Sequence, residues 1–409
     1  MRWAFATVER LTGVDRSGQV TAYWVAFGHG GTHWIMGTLY ILVPFLSEEL
    51  GLSYAEAGAV FSAMAIASFA VNIGSGAIVD LTGRRVVVLG FGLAGCAMAM
   101  LGIGLVPSLL GLTVGAIIIG GANNLWHPAA FSFLSGRFPN NRGFAISVHG
   151  MGANIGDAVG PLAAGALMMW LGWQSAAIVN GLPMLFFAVL IAVFINRDES
   201  GGTEEPSQSA DLSNYFRGIW ALFKQRAVFG VCLLAGLRTM TQNGIYVFLP
   251  FYLKDVMGME AALIGLVWAI MQIGGMISGP VAGTWSDTIG RRPLVIAGLI
   301  ATAAILFVLN IFENQVVFVA VIAFLGFSLF AVRPVVHAWM MDLAPAHLRG
   351  GATNLVFGAQ SALRMLIPLA GGVMADSWGV GSVFYLLVGI SILGAITAGF
   401  LPKNRTLAN

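Results

Sequence analysis

The chain has 409 residues, 58% of them hydrophobic and only 9% charged, with a formal net charge of +2 and a mean hydropathy of +0.85. A soluble globular domain carries about 25% charged residues. That composition excludes an ordinary water-soluble fold and places most of the chain in a lipid bilayer.

Residues 1–18 mix Arg2, Glu9, Arg10, Asp15 and Arg16 with apolar positions and lack the unbroken apolar run of a secretory signal. They predict a short amphipathic helix on the cytoplasmic face. Twelve stretches then reach the roughly 20 apolar residues that a span requires: 19–43, 54–79, 86–106, 109–134, 143–170 and 173–195, followed by 228–253, 261–285, 293–312, 315–341, 350–375 and 380–401. In lipid each backbone polar group needs an internal partner, so these are helices, and the fold class is an all-α membrane protein of two six-helix bundles. The bundles are expected over 19–195 and 228–401, joined by a linker over 196–227 and followed by a tail over 402–409. Asn196-Arg-Asp-Glu-Ser-Gly-Gly-Thr-Glu-Glu-Pro cannot bury enough apolar surface to fold alone. Cys96 and Cys232 fall within spans and suggest neither a disulfide nor a metal framework.

Orientation follows from the basic residues. An even number of spans puts both termini on one side, and that side receives Arg84, Arg85, Arg137, Arg142, Arg217, Lys224, Arg226, Arg291, Arg292 and Arg349, whereas the opposite loops hold only Lys254. By the positive-inside rule the basic side is the cytoplasm, as in a multi-pass protein of a bacterial-type inner membrane.

One motif occurs twice. Gly76-Ala-Ile-Val-Asp80-Leu-Thr-Gly83-Arg84-Arg85 returns 207 residues later as Gly283-Thr-Trp-Ser-Asp287-Thr-Ile-Gly290-Arg291-Arg292, and Arg142-Gly143 and Pro161 return as Arg349-Gly350 and Pro368. The chain reads as two related halves. In each loop the aspartate can cap or pair with a neighbouring helix start, and the arginines can anchor at the inner headgroups. Because topogenic charge alone needs no acid, the loops are read as a conformational latch. Span 5 carries Gly152-x-x-x-Gly156-x-x-x-Gly160-Pro161, a run that lets a partner helix approach closely.

The duplicated loops resemble the signature loop of the major facilitator superfamily, and the span-5 run resembles its glycine-proline antiporter motif. Leu125-Trp-His127-Pro128 followed by Arg142-Gly143-Phe is most similar to the fosmidomycin-resistance branch of drug and metabolite exporters. The family's arginine on span 4 has no counterpart near Gly120-Gly121-Ala122. The resemblance implies a twelve-helix fold in which spans 1, 4, 7 and 10 line a central cavity, with one half rocking against the other.

Charged residues deep in the membrane are costly, an arginine at mid-span about 2.5–3.5 kcal/mol, and therefore pair, face a cavity or serve function. Arg238 lies in span 7, Arg333 in span 10, Arg364 in span 11 and Asp157 in span 5. Asp157 and Arg364 occupy equivalent places in the two repeats and are candidates to face each other. His29 and His33 stand one turn apart on span 1, with His127 on span 4 and His149 on span 5. Span 7 continues from Arg238 with Thr239, Gln242, Asn243 and Tyr246.

Three arginines against one carboxylate make the interior cationic, and guanidinium groups match carboxylate or phosphonate oxygens. The expected substrate is a small organic anion, bound by His33, His127, Arg238, Asn243, Tyr246, Arg333 and Arg364. Proton coupling is assigned to Asp157, His29 and His149, since histidine titrates near neutrality. None of Lys224, Lys254 and Lys403 sits in a phosphate-cradling loop, so transport would be secondary. The His29 and His33 pair could bind a transition metal, but span 1 offers no carboxylate or thiolate near it, so no metal is expected. Nor is a cofactor, a nucleic-acid partner or a catalytic constellation expected. The reading is a monomeric proton-coupled exporter of an organic anion; an uptake symporter of the same substrate, or a receptor that binds without transport, are the alternatives.

Overall fold

The computed structural model describes residues 2–195, 212–311, 314–345 and 348–402. The side chains of residues 2, 4, 76, 77, 80–82 and 212–216 also lie outside the described set. The elements are helices joined by short turns, with no strand among the described residues.

Helix α1 (Arg2–Thr12) precedes α2 (Arg16–Leu50), α3 (Tyr54–Thr82), α4 (Arg85–Leu105), α5 (Leu109–Arg137) and α6 (Arg142–Phe194). Then follow α7 (Leu212–Phe223), α8 (Arg226–Phe251), α9 (Ala261–Ile289), α10 (Arg291–Val308), α11 (Gln315–Leu343), α12 (Arg349–Arg364), α13 (Ile367–Trp378) and α14 (Ser382–Gly399). Among the described residues nine helices are long and apolar enough to cross a membrane, or ten when α7 and α8, bent by 78°, count as one broken span. The 53-residue α6 holds two of the expected spans, because Gly172 takes φ 71°, a turn that ends one helix and starts the next. In helix α2, His29, His33 and the glycines dilute the apolar run, yet its 35 residues reach about 52 Å at 1.5 Å each. The architecture is an all-α membrane fold, consistent with twelve spans.

Large side chains such as Phe91, Trp170, Phe194, Phe324 and Phe400 are exposed. Apolar surface of that extent suits lipid rather than water. Polar ends are dealt with locally: Ser108 accepts from the Gly111 amide and Asn314 from those of Val316 and Val317, N-caps for α5 and α11. Both cysteines are free and buried. Helix α1 forms where an amphipathic helix was expected, and α7 turns the last part of the expected linker into helix.

The chain falls into two compact units, residues 1–50 with 66–206 and residues 51–65 with 207–409. In the first, α6 packs on α2 and α4, and α4 on α5. In the second, α8 packs on α12 and α14, α9 on α11 and α10 on α14. The second unit includes the start of α3, where the amides of Tyr54 and Ala55 donate to the two oxygens of Asp376 on α13 at 2.8 and 2.9 Å. A carboxylate there caps a helix N-terminus and meets its positive dipole end.

Candidate substrate and coupling sites

The first unit's polar cluster is set by a glycine seam. A Cβ added at Gly152 would lie 1.9 Å from the Ala26 carbonyl oxygen, and one at Gly156 only 2.1 Å from that of Gly30. Any side chain would push the helices apart, so these glycines fix both the distance and the register of α6 on α2. In that register His33 Nδ1 comes to 2.9 Å from Asp157 Oδ1, and His29 Nδ1 donates to the His149 carbonyl at 2.8 Å.

Helix α5 closes the cluster. His127 Nδ1 donates to the Asn123 carbonyl one turn earlier at 3.0 Å, and His127 Nε2 lies 3.3 Å from His29 Nε2. Trp126 donates to His149 Nε2 at 3.2 Å, and the His149 ring stacks on His29 at 3.8 Å. The indole therefore occupies the acceptor nitrogen of His149, which makes His149 a support for His29 within this cluster. Four histidines from three helices thus meet at Asp157's side of the unit. Span 1 was expected to hold no metal for want of a carboxylate or thiolate; instead a third imidazole, His127 of α5, comes within 4.8 Å of His29 and His33.

The second unit holds the arginines. Arg238 on α8 is 2% exposed, its guanidinium donating from Nε and Nη2 to the Leu329 carbonyl at 3.4 and 3.3 Å and lying 5.9 Å from the Phe330 ring centre. Among the described residues no carboxylate lies within 4.0 Å of it. Arg333, exposed on α11, acts electrostatically on both Arg238 and His337. Beside them Tyr246 accepts from Gln242 at 2.8 Å and donates to Gln272 at 3.3 Å, its ring 4.8 Å from Trp268. Asn243 donates to the Arg364 carbonyl at 3.2 Å, where α12 gives way to α13. Thr239 donates back to the Ala235 carbonyl within its own helix at 2.8 Å.

Sequence reasoning passed over His337, Gln272 and Gln360. His337 lies one turn beyond Arg333 on α11, a spacing that places both on one face; that was the available signal. Gln360 reaches the His337 ring at 3.5 Å. Gln272 had no comparable signal, since a single amide in an apolar helix is uninformative.

In the second duplicated loop Gly290 takes φ 93°. Arg291 bridges Asp287 at 2.6 Å and Asp342 of α11 at 3.1 Å, while Arg292 donates to the Gly399 and Leu401 carbonyls at the end of α14. A cation at a helix C-terminus is favourably placed. In the first loop Gly83 takes φ 62°, Arg84 is exposed and Arg85 half-buried; the side chains of Gly76 and Asp80 are among those outside the described set.

The sequence model of the Major Facilitator Superfamily matches residues 25–361 and, in a second match, 231–408. The chain belongs to that superfamily. Over 395 residues it is 22% identical to the multidrug resistance protein MdtG of Salmonella arizonae, covering 90% of this chain and 92% of that one. It is 23% identical over 398 residues to the probable sulfoacetate transporter SauU of Cupriavidus necator, with 90% of each covered. In structure it resembles a bacterial homologue of the human lysosomal transporter Spinster, in the inward-facing and occupied conformation, at a TM-score of 0.80 and 13% identity over 94% of this chain and 97% of that one. The nucleoside transporter NupG follows at 0.78 and 13%, over 93% and 99%. As a member of this superfamily the protein is a multi-pass inner-membrane transporter of small molecules and not an enzyme.

Proposed function

We propose that this superfamily member is a proton-coupled secondary transporter that, as a monomer working by alternating access, exports a small organic anion such as a carboxylate, sulfonate or phosphonate. One observation carries the substrate class: the guanidinium of Arg238 is buried and has no carboxylate in reach among the described residues. An uncompensated buried charge is strongly unfavourable, and a substrate anion would supply the missing partner through charge-assisted hydrogen bonds. Arg333 adds to the same positive field. Tyr246, Gln242, Gln272 and Asn243 offer the neutral polar groups that orient a ligand.

The likeness to a probable sulfoacetate transporter supports an anion, and the likeness to a multidrug resistance protein supports export. Energy would come from the proton gradient, whose electrical part supplies about 2.3 kcal/mol per charge per 100 mV. Asp157 with His33 is the place for the coupled proton, and the two duplicated loops would act as the latch between states.

Thermal unfolding of the purified protein against a ligand panel tests this reading. Small dianions, sulfoacetate first, should raise the midpoint by mass action, and Arg238→Gln should abolish the rise. Stabilisation by organic cations with no response to any anion would overturn it.

A further inference from the structure

The histidine cluster of the first unit carries chemistry beyond the proton transfer assigned to Asp157 and His33. His29, His33 and His127 each offer one ring nitrogen lying within 4.8 Å of the other two. In each ring Nδ1 already has an oxygen partner: the His149 carbonyl at 2.8 Å for His29, Asp157 at 2.9 Å for His33 and the Asn123 carbonyl at 3.0 Å for His127. A carbonyl oxygen can only accept, so His29 and His127 carry their hydrogen on Nδ1 and, when neutral, turn a lone pair out at Nε2. Those two lone pairs face each other across 3.3 Å. Two acceptors at that distance repel unless a cation lies between them. His33 Nε2 is buried with no hydrogen-bond partner among the described residues.

We propose that His29, His33 and His127 form a binding site for a divalent transition metal of the zinc class, with the fourth position open. Three neutral imidazoles select zinc, cobalt, nickel or copper ions over calcium and magnesium, which prefer oxygen. Zinc–nitrogen bonds of about 2.0–2.1 Å in tetrahedral geometry set ligand nitrogens about 3.4 Å apart, and the His29–His127 separation of 3.3 Å already meets that requirement. The outer partners are those of a built site: a ligating histidine commonly donates its other nitrogen to a carbonyl or carboxylate that fixes its tautomer and ring plane. His149 is no ligand, because the Trp126 indole holds its Nε2. Instead its stacked ring and carbonyl hold His29. His33 and Asp157, 22% and 25% exposed, give an ion a way in. The inference is independent of the substrate assignment, since it concerns binding and not transport.

The test uses the full chain without a histidine tag, purified in detergent and stripped with chelator. Calorimetric titration with zinc chloride should give one ion per chain, and cobalt should give the intense visible bands of a tetrahedral site. His29→Gln, His33→Gln and His127→Gln should each lose zinc binding, whereas His337→Gln should bind as the wild type does. Asp157→Asn, which removes only the outer partner, should weaken binding by about 10–100-fold. Unfolding midpoints of the metal-free variants identify any that fail to fold; the wild-type titration decides the matter even then. Absence of stoichiometric zinc and cobalt binding by the wild type would overturn the proposal and leave a shared proton between His29 and His127. Unchanged affinity in the three folded histidine variants would overturn it equally.

Discussion

His33 and Asp157 meet across the seam between α2 and α6, Nδ1 2.9 Å from Oδ1, with each side chain partly open to solvent. A carboxylate and an imidazole in contact can exchange or share a proton without leaving the membrane interior. Asp157→Asn should therefore abolish uphill transport driven by a pH gradient in proteoliposomes while leaving substrate counterflow intact. Uphill transport at the wild-type rate would remove Asp157 from coupling.

The register that brings this pair together depends on Gly152 and Gly156. Gly156→Ala places a methyl group 2.1 Å from the Gly30 carbonyl oxygen, and such overpacking costs about 1–3 kcal/mol. Gly150→Ala, whose Cβ meets nothing within 4 Å, should instead stabilise by about 0.5–1 kcal/mol because alanine favours a helix over glycine. Unfolding midpoints in detergent should shift in opposite directions for the two variants.

Arg291 holds Asp287 and Asp342 at once. Lysine keeps the charge but not the planar fork that bridges two carboxylates. Arg291→Lys and Arg291→Ala should both slow turnover while leaving substrate affinity unchanged, the pattern of a damaged conformational step. Because Asp287 is largely exposed, its pair with Arg291 is worth no more than about 1 kcal/mol, so any fall in the unfolding midpoint should come mainly from the less exposed pair with Asp342. Transport kinetics that separate KM from maximal rate would check this.

Helical spans were legible because apolar runs in a membrane chain leave the backbone no other choice. The expected 54–79 and 109–134 became Tyr54–Thr82 and Leu109–Arg137, and the turn expected between 170 and 173 is made by Gly172. The site was only half legible. Spacing put His29 and His33 on one face, but the arrival of His127 and the partner of Asp157 depend on how closely two helices approach. The contact between Asp157 and His33 comes from the glycine seam, whose register no repeat offset reports. The structural surroundings of Arg238, a carbonyl and an aromatic ring rather than an acid, were likewise invisible in a string of residues.

Counterflow of labelled sulfoacetate into proteoliposomes, measured for the wild type and for Arg238→Gln, tests the central assignment most directly. Loss of one charged hydrogen bond is worth about 1.5–3 kcal/mol, or roughly 10- to 150-fold in affinity. The account predicts exchange by the wild type that other small organic anions compete away, and a half-saturation constant raised by that factor in the variant. Exchange competed by organic cations and indifferent to Arg238→Gln would contradict it.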